Sequence, residues 1–401
     1  MRVLIADKLS PFVAGRLQDL GAQVTQETGL SGQALTARLG ELDPEVLVVR
    51  STEVSAADIA AAQGLALVIR AGAGVNTIDL DAASARGVYV TNCPGKNAAA
   101  VAELTLAHLL NLDRRIADNV RALREHRWAK KAFGGAPGLN GRTLAVLGTG
   151  TIGREVIARA KAFGMRIVAW SRSLDADDAE ELGVERVDSP EDAVRHAQAV
   201  TVHLALTPET RHRVDASVFG AMRPGTYFIN TSRGEVVDTQ AMLDAVRDKG
   251  ILVGLDVFED EPPGADGTFE LPLADDPNVY GTHHIGASTQ EAEEAVGREV
   301  VRIVSAYKRG RRIPNCVNLA EHSPATHRII VRHADRVGVL AGVLDVLREA
   351  GHNVQEMQNI VFSGAEAACA RIEVVGEPAP ETLRAIASRA EVFAVSASPI
   401  E

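Results

Sequence analysis

The sequence predicts an α/β protein with two doubly wound parallel-sheet domains and a third, smaller domain of βαββαβ order. Short apolar strands alternate with amphipathic helical segments from residue 1 to about 300, a pattern typical of parallel sheets with helices on both faces. Aromatic residues make up only 4% of the chain. The cores must therefore be built mainly from Val, Leu, Ile and Ala, as helix-covered parallel sheets usually are.

Two series of apolar segments define the two sheets. The first sheet is predicted from Met1–Ala6, Val46–Val49, Ala66–Ile69 and Val88–Thr91. A helical segment of roughly Ala98–Glu125 follows and is expected to link two domains. The second sheet is predicted from Thr143–Leu147, Arg166–Trp170, Ala199–Leu204, Thr226–Asn230 and Val253–Asp256. A helix over Gln290–Arg309 is then expected to return to the first domain.

Residues 313–326 are predicted to form a linker, since two Pro, two Asn and one Ser fall there. Beyond it, residues 327–401 form a separate small module. Its predicted strands are Arg328–Arg332, Asn353–Val361, Ala367–Val375 and Val392–Ser396. Its predicted helices are Val337–Glu349 and Glu381–Ser388.

Composition limits the classes of partner and the compartment. The net charge of −11 argues against general nucleic-acid binding, although a local basic pocket can still hold an anion. Three widely separated cysteines, Cys93, Cys316 and Cys369, form neither a disulfide framework nor a metal-ligand set, which fits a reducing cytoplasm. The first residues lack the features of a signal peptide, and no apolar run is long enough for a membrane span. We therefore expect a cytoplasmic protein without a bound metal.

A glycine-rich turn marks a candidate phosphate-binding site. The apolar run Leu144–Leu147 leads into Gly148-Thr149-Gly150-Thr151-Ile152-Gly153 and then a helix. Glycines in this G-x-G-x-x-G pattern permit a tight turn, close approach of backbone N–H groups to a pyrophosphate, and helix–strand packing. Because strand, turn, helix and next strand occur in the required order, dinucleotide binding is favoured over a turn without a ligand.

The end of the next strand bears on which dinucleotide binds. An NAD-selective site usually has Asp or Glu there, to bind the ribose hydroxyls. Here the strand ends in Trp170-Ser171-Arg172-Ser173. Ser171 can bind the ribose, and Arg172 can pair with a 2′-phosphate or simply be a solvated charge. NAD and NADP both remain open at this point.

Four motifs in order resemble the D-isomer-specific 2-hydroxyacid dehydrogenases over about the first 315 residues. They are Gly148–Gly153, Asn230-Thr231-Ser232-Arg233-Gly234, Asp256-Val257-Phe258-Glu259-Asp260-Glu261-Pro262 and His284-Ile285-Gly286. The resemblance implies a flavodoxin-like substrate-binding domain of residues 1–95 and 286–312. It also implies a Rossmann dinucleotide-binding domain of residues 96–285.

The resemblance also assigns catalytic roles. Arg233 is expected to grip a substrate carboxylate, for which a guanidinium is suited. His284 is expected to take the hydroxyl proton, and Glu261 to orient the imidazole and favour its protonated form. His283 is a rival base, because the family usually has Pro at that position. His284 is preferred since it directly precedes Ile285-Gly286.

Further residues are expected to contact cofactor and substrate. By resemblance, the cofactor contacts are Gly148, Gly150, Thr151, Ile152, Gly153, Ser171, Arg172, Thr207, Thr231, Ser232, Asp256 and Gly286. The expected substrate contacts are Arg50, Ser51, Arg70, Lys96, Asn97 and Lys130. Arg70 would help to bind a phosphate, Lys96 would add a phosphate contact, and Lys130 would reach in from a neighbouring subunit. Solvated surface cations are the alternative reading of such Lys and Arg residues.

Residues 327–401 resemble an ACT domain, a small-ligand module of amino-acid biosynthetic enzymes. The similar stretch is His333-Ala334-Asp335-Arg336-Val337-Gly338-Val339-Leu340, with Gly351-His352-Asn353-Val354 after the helix. His333, Asp335, Gly338 and Asn353 are thereby implied as ligands of L-serine, although Asp335 replaces an Asn of serine-inhibited relatives. Oligomerisation through edge strands is the alternative role.

The resemblance as a whole implies oxidation of 3-phosphoglycerate to 3-phosphohydroxypyruvate, a step of serine synthesis, by a homodimer or homotetramer. An NADPH-dependent reductase of glyoxylate or hydroxypyruvate is an alternative that Ser171-Arg172 favours. A non-catalytic, nucleotide-sensing protein is the alternative from another class, because a fold alone does not prove activity.

Overall fold

A computed structural model describes residues 1–262, 268–269 and 276–400. The chain divides into two compact units, Met1–Asn318 and Leu319–Glu401. The boundary between them lies inside the segment expected to be a linker. None of the helices among the described residues is long and apolar enough to cross a membrane.

The first part of the larger unit is a five-stranded parallel sheet. Its strands are β1 (Arg2–Ile5), β2 (Gln23–Gln26), β3 (Val46–Val49), β4 (Leu67–Arg70) and β5 (Tyr89–Thr91). Their spatial order is β2-β1-β3-β4-β5, the flavodoxin-like order. Its helices are α1 (Phe12–Asp19), α2 (Gln33–Leu42), α3 (Ala56–Ala61), α4 (Leu80–Ala85) and α12 (Gln290–Lys308). One face packs against α1 and the returning α12, and the other packs against α2, α3 and α4.

The second part is a seven-stranded parallel sheet. Its strands are β6 (Thr143–Leu147), β7 (Arg166–Trp170), β8 (Glu185–Arg186), β9 (Ala199–Val202), β10 (Tyr227–Asn230), β11 (Leu252–Leu255) and β12 (Val279–Gly281). Their spatial order is β12-β11-β10-β9-β6-β7-β8. The chain reverses direction across the sheet between β6 and β9, which is where doubly wound sheets bind their ligands.

Helices cover both faces of this sheet. They are α5 (Ala98–Arg114), α6 (Ile116–Arg124), α7 (Thr151–Ala162), α8 (Ala176–Leu182), α9 (Pro190–Val194), α10 (Ala216–Ala221) and α11 (Thr239–Lys249). A single helix over Ala98–Glu125 was expected, but Arg115 adopts a left-handed conformation with φ of 51° and separates α5 from α6. Intrinsic helix propensity is too weak a signal to reveal such a break, because tertiary context overrides it.

The smaller unit has the expected βαββαβ order. It contains β13 (His327–Ala334), α13 (Val339–Glu349), β14 (Val354–Val361), β15 (Ala367–Val374), α14 (Pro380–Ala387) and β16 (Val392–Pro399). The antiparallel sheet has the order β14-β15-β13-β16. Alternate residues such as Ile329, Val331, Ala370 and Ile372 face α13 and α14, because side chains alternate across a strand.

Candidate active site

The three expected catalytic residues follow three neighbouring strands of the seven-stranded sheet. Arg233 follows β10, Glu261 follows β11, and His284 follows β12. Since β10, β11 and β12 are adjacent and parallel, their carboxyl ends lie at one edge of the sheet. Residues far apart in the sequence are thereby brought to the same corner of the molecule.

Glu261 and His284 form a hydrogen-bonded pair. His284 Nδ1 lies 2.7 Å from Glu261 Oε2, and Glu261 Oε1 accepts a 2.9 Å bond from the backbone N–H of Phe258. Burial opposes the charged carboxylate, but the bonds from His284 and Phe258 and the charge of Arg233 lower the pKa of Glu261 below its ordinary value. The carboxylate is therefore ionised at neutral pH. Its bond fixes the proton of a neutral imidazole on Nδ1 and leaves Nε2 free to accept one.

Asp256 holds the turn that carries His284. Its Oδ1 accepts bonds from Thr282 Oγ1 (2.6 Å) and the N–H of Ile285 (2.9 Å), and its Oδ2 accepts the N–H of Gly286 (2.8 Å). Its backbone oxygen also accepts the N–H of His284 at 2.8 Å. These four bonds hold His284 in a left-handed conformation, with φ of 50°, that a non-glycine residue rarely adopts. Asp256, only 1% exposed, thus organises the turn.

A buried histidine extends this network. His108 on α5 places Nε2 3.1 Å from Thr282 Oγ1. Because Thr282 donates to Asp256, His108 Nε2 must be the donor to Thr282. Burial lowers the pKa of His108, against the opposing charge of Asp256, so the imidazole is neutral. The base therefore rests on a continuous chain of polar contacts that reaches the core.

His283 occupies a different environment from its neighbour. Its side chain is exposed, and it makes no hydrogen bond or ion pair within the described residues. The carboxylate partner that a general base needs for orientation belongs to His284. The geometry supports His284 over its rival.

Arg233 faces the loop that follows β4 of the other sheet. A Cβ atom built on Gly74 would lie 2.9 Å from Arg233 Nη2, so glycine leaves room for the guanidinium. Arg233 Nη1 donates a 2.6 Å bond to the backbone oxygen of Ser232. Asn230 Nδ2 in turn binds the Arg233 carbonyl at 2.9 Å. The guanidinium is thus directed from one sheet towards the other.

Arg70 is a half-buried cation at the end of β4. Burial, followed by repulsion from Arg233 and Arg50, lowers the pKa of Arg70 to about 10. Its Nε is buried without a hydrogen-bond partner, and no carboxylate pairs with it in the part of the chain that the structure describes. A buried unpaired charge is costly, so three converging guanidinium groups favour binding of an anion.

Arg50 and Ser51 lie in a turn that Asp7 holds in place. Asp7 Oδ2 accepts the backbone N–H groups of Arg50, Ser51 and Thr52 at 2.6, 3.0 and 3.0 Å. The Arg50 side chain pairs with Glu293 on α12 at 2.9 Å. The backbone is therefore fixed, and the guanidinium has one carboxylate partner.

Lys96 and Asn97 lie just before α5. Lys96 Nζ is 3.5 Å from Glu299 Oε2 on α12, and Glu299 also binds Arg302 and Asn315. Lys96 thus has a carboxylate partner, unlike Arg70. The Oδ1 of Asn97 is buried and lacks a hydrogen-bond partner among the described residues, as expected of a group that awaits a ligand.

Lys130 lies elsewhere on the surface. It stands in an exposed segment beside Trp128, whose side chain is 83% exposed. Lys130 makes no hydrogen bond or ion pair within the described chain. Its expected role in the site of a neighbouring subunit stays a prediction.

The glycine-rich turn has the shape that a pyrophosphate requires. A Cβ on Gly153 would lie 2.0 Å from the Gly148 carbonyl oxygen, and a Cβ on Gly148 would lie 2.5 Å from the His203 carbonyl oxygen. Gly148 also has φ of 106°. Both positions therefore demand glycine. A Cβ on Gly150 would meet no atom within 4 Å, so this glycine faces open space where a ligand can approach.

The start of α7 supplies the groups that would bind the phosphates. Hydrogen bonding within the helix begins with the N–H of Arg154 to the oxygen of Gly150. The N–H groups of Thr151, Ile152 and Gly153 therefore have no partner inside the helix. Together with the positive end of the helix dipole, they fit a dinucleotide pyrophosphate.

The end of β7 places Ser171 and Arg172 beside an acid from another loop. Ser171 is half-buried and Arg172 is exposed. A hydrogen bond from Thr207 lowers the pKa of Glu209, and the charge of Arg172 also contributes. Arg172 therefore lies near a carboxylate that follows β9.

The remaining expected cofactor residues lie at the same edge of the sheet. Thr231 Oγ1 is 2.9 Å from Thr105 Oγ1 on α5, and Ser232 Oγ donates to Asn230 Oδ1 at 2.7 Å. Thr207 takes part in a turn in which its N–H binds Thr210 Oγ1 at 2.7 Å. These hydroxyls brace the loops, whereas Gly286 passes close to Asp256.

The expected effector residues belong to the separate C-terminal unit. His333 is buried, with Nδ1 2.8 Å from the Ala334 oxygen and Nε2 3.2 Å from Asn359 Oδ1. Gly338 precedes α13 with φ of 88°, and Asn353 is exposed before β14. Both nitrogens of His333 are thus already engaged.

Sequence reasoning missed the residues that hold the site residues in place. These are Asp7, His108, Thr282, Glu293 and Glu299. Asp7 alone had a usable signal, because it follows the apolar strand β1 at the ligand-binding edge of a parallel sheet. The others meet their partners only through the tertiary fold.

Comparison with known proteins agrees with this geometry. The family model described as "D-isomer specific 2-hydroxyacid dehydrogenase, NAD binding domain" matches residues 106–286. The chain is 37% identical over 321 residues to D-3-phosphoglycerate dehydrogenase of Methanocaldococcus jannaschii, covering 80% of this chain and 60% of that protein. It is 38% identical over 348 residues to the enzyme of Mycobacterium bovis, covering 85% and 63%.

A solved structure shares the fold of the larger unit. D-lactate dehydrogenase from Aquifex aeolicus, in complex with NAD and lactic acid, matches with 27% identity and a TM-score of 0.69. The match covers 80% of this chain and all of that one. The curated relatives are longer than this chain, which spans about 60% of their length.

Proposed function

The chain belongs to the D-isomer-specific 2-hydroxyacid dehydrogenases, and from this premise we propose that it oxidises D-3-phosphoglycerate to 3-phosphohydroxypyruvate. One observation carries the proposal: the His284–Glu261 pair lies at the same edge as Arg233, whose charge repels that of the half-buried Arg70, and Arg70 has no carboxylate partner in the described chain. A base, a carboxylate clamp and an anion pocket are what a phosphorylated hydroxy acid requires.

Each side chain has a defined task in this reaction. Arg233 binds the substrate carboxylate through its planar guanidinium. His284 Nε2 accepts the hydroxyl proton, while Glu261 stabilises the imidazolium that forms. Arg70 binds the phosphate, and Arg50 beside it contacts the hydroxy acid. The nicotinamide dinucleotide, when bound, accepts the hydride, and that chemistry belongs to the cofactor.

A direct assay tests this function. Purified protein is mixed with NAD and a panel of acids, and reduced nicotinamide is followed by absorbance. We expect turnover of 3-phosphoglycerate to exceed that of glycerate by a large factor. Equal efficiency with both acids would rule out a phosphate-selective pocket, and no turnover of any acid would favour a non-catalytic nucleotide-binding protein.

The two adjacent histidines provide a matched pair of variants. His284→Ala is expected to abolish turnover, since the proton acceptor is lost, whereas His283→Ala should retain most of it. The opposite result would assign the base to His283. Dinucleotide binding, measured by calorimetry, serves as the folding control for both variants.

NAD is the proposed cofactor, and Arg172 makes NADP the alternative. The matched family model is an NAD-binding domain. Glu209 partly compensates the charge of Arg172, which disfavours a 2′-phosphate. Comparison of kcat/KM with the two cofactors decides the preference. A strong preference for NADPH with glyoxylate or hydroxypyruvate would instead favour a reductase of those acids.

An apolar stripe on α6 supports a homo-oligomer. Ile116, Val120 and Leu123 recur on one side of the helix and are 46%, 40% and 56% exposed, and the exposed Trp128 follows. Exposed apolar stripes of this kind mark protein interfaces. Sedimentation of the wild type and of Leu123→Glu tests the proposal, and a monomeric wild type would contradict it.

The C-terminal unit is proposed as an ACT-like module for oligomerisation or for L-serine. Its edge strands β14 and β16 are each eight residues long and have a free edge in the sheet. His333, Asp335, Gly338 and Asn353 are the proposed serine ligands, although His333 already binds Ala334 and Asn359. Calorimetry with L-serine tests this role, and absence of binding would leave oligomerisation alone.

A further inference from the structure

A second histidine–glutamate pair lies two residues before Glu261. Glu259 Oε1 is 2.7 Å from His212 Nε2, and Glu259 Oε2 accepts a 2.7 Å bond from Thr239 Oγ1. Thr239 is the first residue of α11, and His212 lies in the loop between β9 and α10. Glu259 is therefore tied to two separate elements of the cofactor domain, one through each carboxylate oxygen.

This anchored residue is packed against the segment that carries Arg233. A Cβ on Gly234 would lie 2.0 Å from the carbonyl carbon of Phe258 and 2.3 Å from the nitrogen of Glu259. Phe258 N–H, in turn, holds Glu261 Oε1 at 2.9 Å. The loop therefore has little freedom between its anchor and the Glu261–His284 pair. A shift at Glu259 would pass directly to the Glu261 carboxylate.

The backbone of His212 gives an independent indication that its side chain matters. His212 has φ of 50°, in the left-handed region that favours glycine, and its N–H binds the Glu235 oxygen at 2.9 Å. Glycine would occupy this position with less strain. The imidazole therefore supplies a contact that offsets an unfavourable backbone conformation.

We propose that His212 is a positioning residue, which acts through Glu259 to hold Glu261 against His284. The inference rests on the proposed dehydrogenase function. His212 is not among the residues expected to contact substrate or cofactor, so its removal should lower kcat more than it raises KM. The charged groups around the pair are Asp238 and the neighbouring Arg211 and Arg213, and neither arginine pairs with Glu259 among the described residues.

The test exploits the left-handed backbone. His212→Gly removes the imidazole and relieves strain, so the variant should fold at least as stably as the wild type. We expect kcat with 3-phosphoglycerate to fall about tenfold, because small misplacements of catalytic groups are costly, while KM changes little. His212→Gln, which retains an N–H donor at similar reach, should restore most of the loss.

A matched control separates strain relief from lost positioning. Ala365 also has a positive φ, 53°, and stands in the β14–β15 turn of the C-terminal unit. Ala365→Gly is expected to leave kcat unchanged. The pH profile provides a further readout: with Glu261 displaced, the His284 imidazolium is less stabilised, so the acid limb of kcat/KM should move to lower pH. The other groups around His284 are Asp256, Arg233 and His283.

A double-variant cycle completes the test. In a Glu261→Gln background, His212→Gly should cause no further loss of kcat, because both changes disable the same contact. A stable His212→Gly variant with wild-type kcat, or a loss that multiplies with that of Glu261→Gln, would overturn the positioning role. An inactive wild-type protein would instead refute the proposed function itself, so the two failures are distinguishable.

Discussion

The two parallel sheets hold their ligand-facing groups by different physical means. In the seven-stranded sheet, steric contact shapes the turn after β6, where Gly153 and Gly148 leave no room for a Cβ. In the five-stranded sheet, Arg50 is held by a carboxylate from elsewhere in the chain, Glu293. A site shaped by steric contact requires one residue type, here glycine, at a fixed spacing in the sequence. A site held by ion pairs requires partner residues that only the tertiary fold brings close.

The largest effect is expected from a substitution in the glycine-rich turn after β6. Gly153→Ala would place its Cβ 2.0 Å from the Gly148 oxygen. We expect destabilisation of about 3 kcal/mol and loss of dinucleotide binding, because overpacked backbone contacts cannot relax easily. Chemical denaturation and calorimetry measure the two effects.

Gly150→Ala is the matched control for this change. Its Cβ would meet no atom within 4 Å, so the free energy of unfolding should stay unchanged. Only dinucleotide affinity should weaken, because the new methyl group occupies the approach to the helix N-terminus. Equal destabilisation by both variants would contradict the steric account.

The second largest effect is expected from a substitution of Arg70, in the proposed anion pocket beside the five-stranded sheet. Arg70→Gln should raise KM for 3-phosphoglycerate on the order of 100-fold, because it removes the proposed cationic partner of the substrate phosphate. The pKa of Arg70 is lowered to about 10, so its charge opposes folding at every pH below that value and this strain is released only above it. The variant should thus melt no lower than the wild type without ligand.

Kinetics with glycerate show whether Arg70 binds the phosphate or the carboxylate of the substrate. It lacks the phosphate, so its KM should be the same for the wild type and Arg70→Gln. Inorganic phosphate should raise the melting temperature of the wild type alone, because a ligand that binds only the folded state stabilises it. A parallel rise in KM for both acids would assign Arg70 to the carboxylate instead.

A smaller effect concerns the turn that Asp7 supports. Asp7→Ala leaves three backbone N–H groups without their acceptor, which should cost about 2 kcal/mol of folding free energy. Since Arg50 and Ser51 lie in that turn, KM should rise roughly tenfold. Asp7→Asn retains an acceptor oxygen and should lie between. A stable Asp7→Ala variant with unchanged KM would show that the turn keeps its conformation without Asp7.

The smallest effect concerns Lys96. Glu299 keeps Arg302 and Asn315 as partners after Lys96→Met, so the network persists. We expect KM for 3-phosphoglycerate to change by less than about threefold, because the charge of Lys96 is already paired with Glu299. A rise comparable to that of Arg70→Gln would support the prediction that Lys96 contacts the phosphate.

The same contrast explains how far sequence reasoning reached. The fold class and the β6–α7 turn followed from periodicity and motif spacing. Arg233, Glu261 and His284 were expected only from the family resemblance, and the structure places them after three adjacent strands. Strand β2 was not predicted, because Gln23–Gln26 is polar at both ends and lies at a sheet edge. The partners of Arg50, Lys96 and Glu259 could not be predicted, because they come from distant segments and carry no local signal.

The proposed base, its carboxylate partner and Arg233 follow β12, β11 and β10, whereas Arg50 follows β3 and Arg70 ends β4 of the other sheet. The residues proposed for proton transfer and those proposed for selecting the acid can therefore change independently of each other. Exchanging the loops that follow β3 and β4 would yield variants that accept new acids while they keep the same base. A laboratory that evolves new dehydrogenases from this scaffold should diversify those loops first and leave the Asp256 turn untouched.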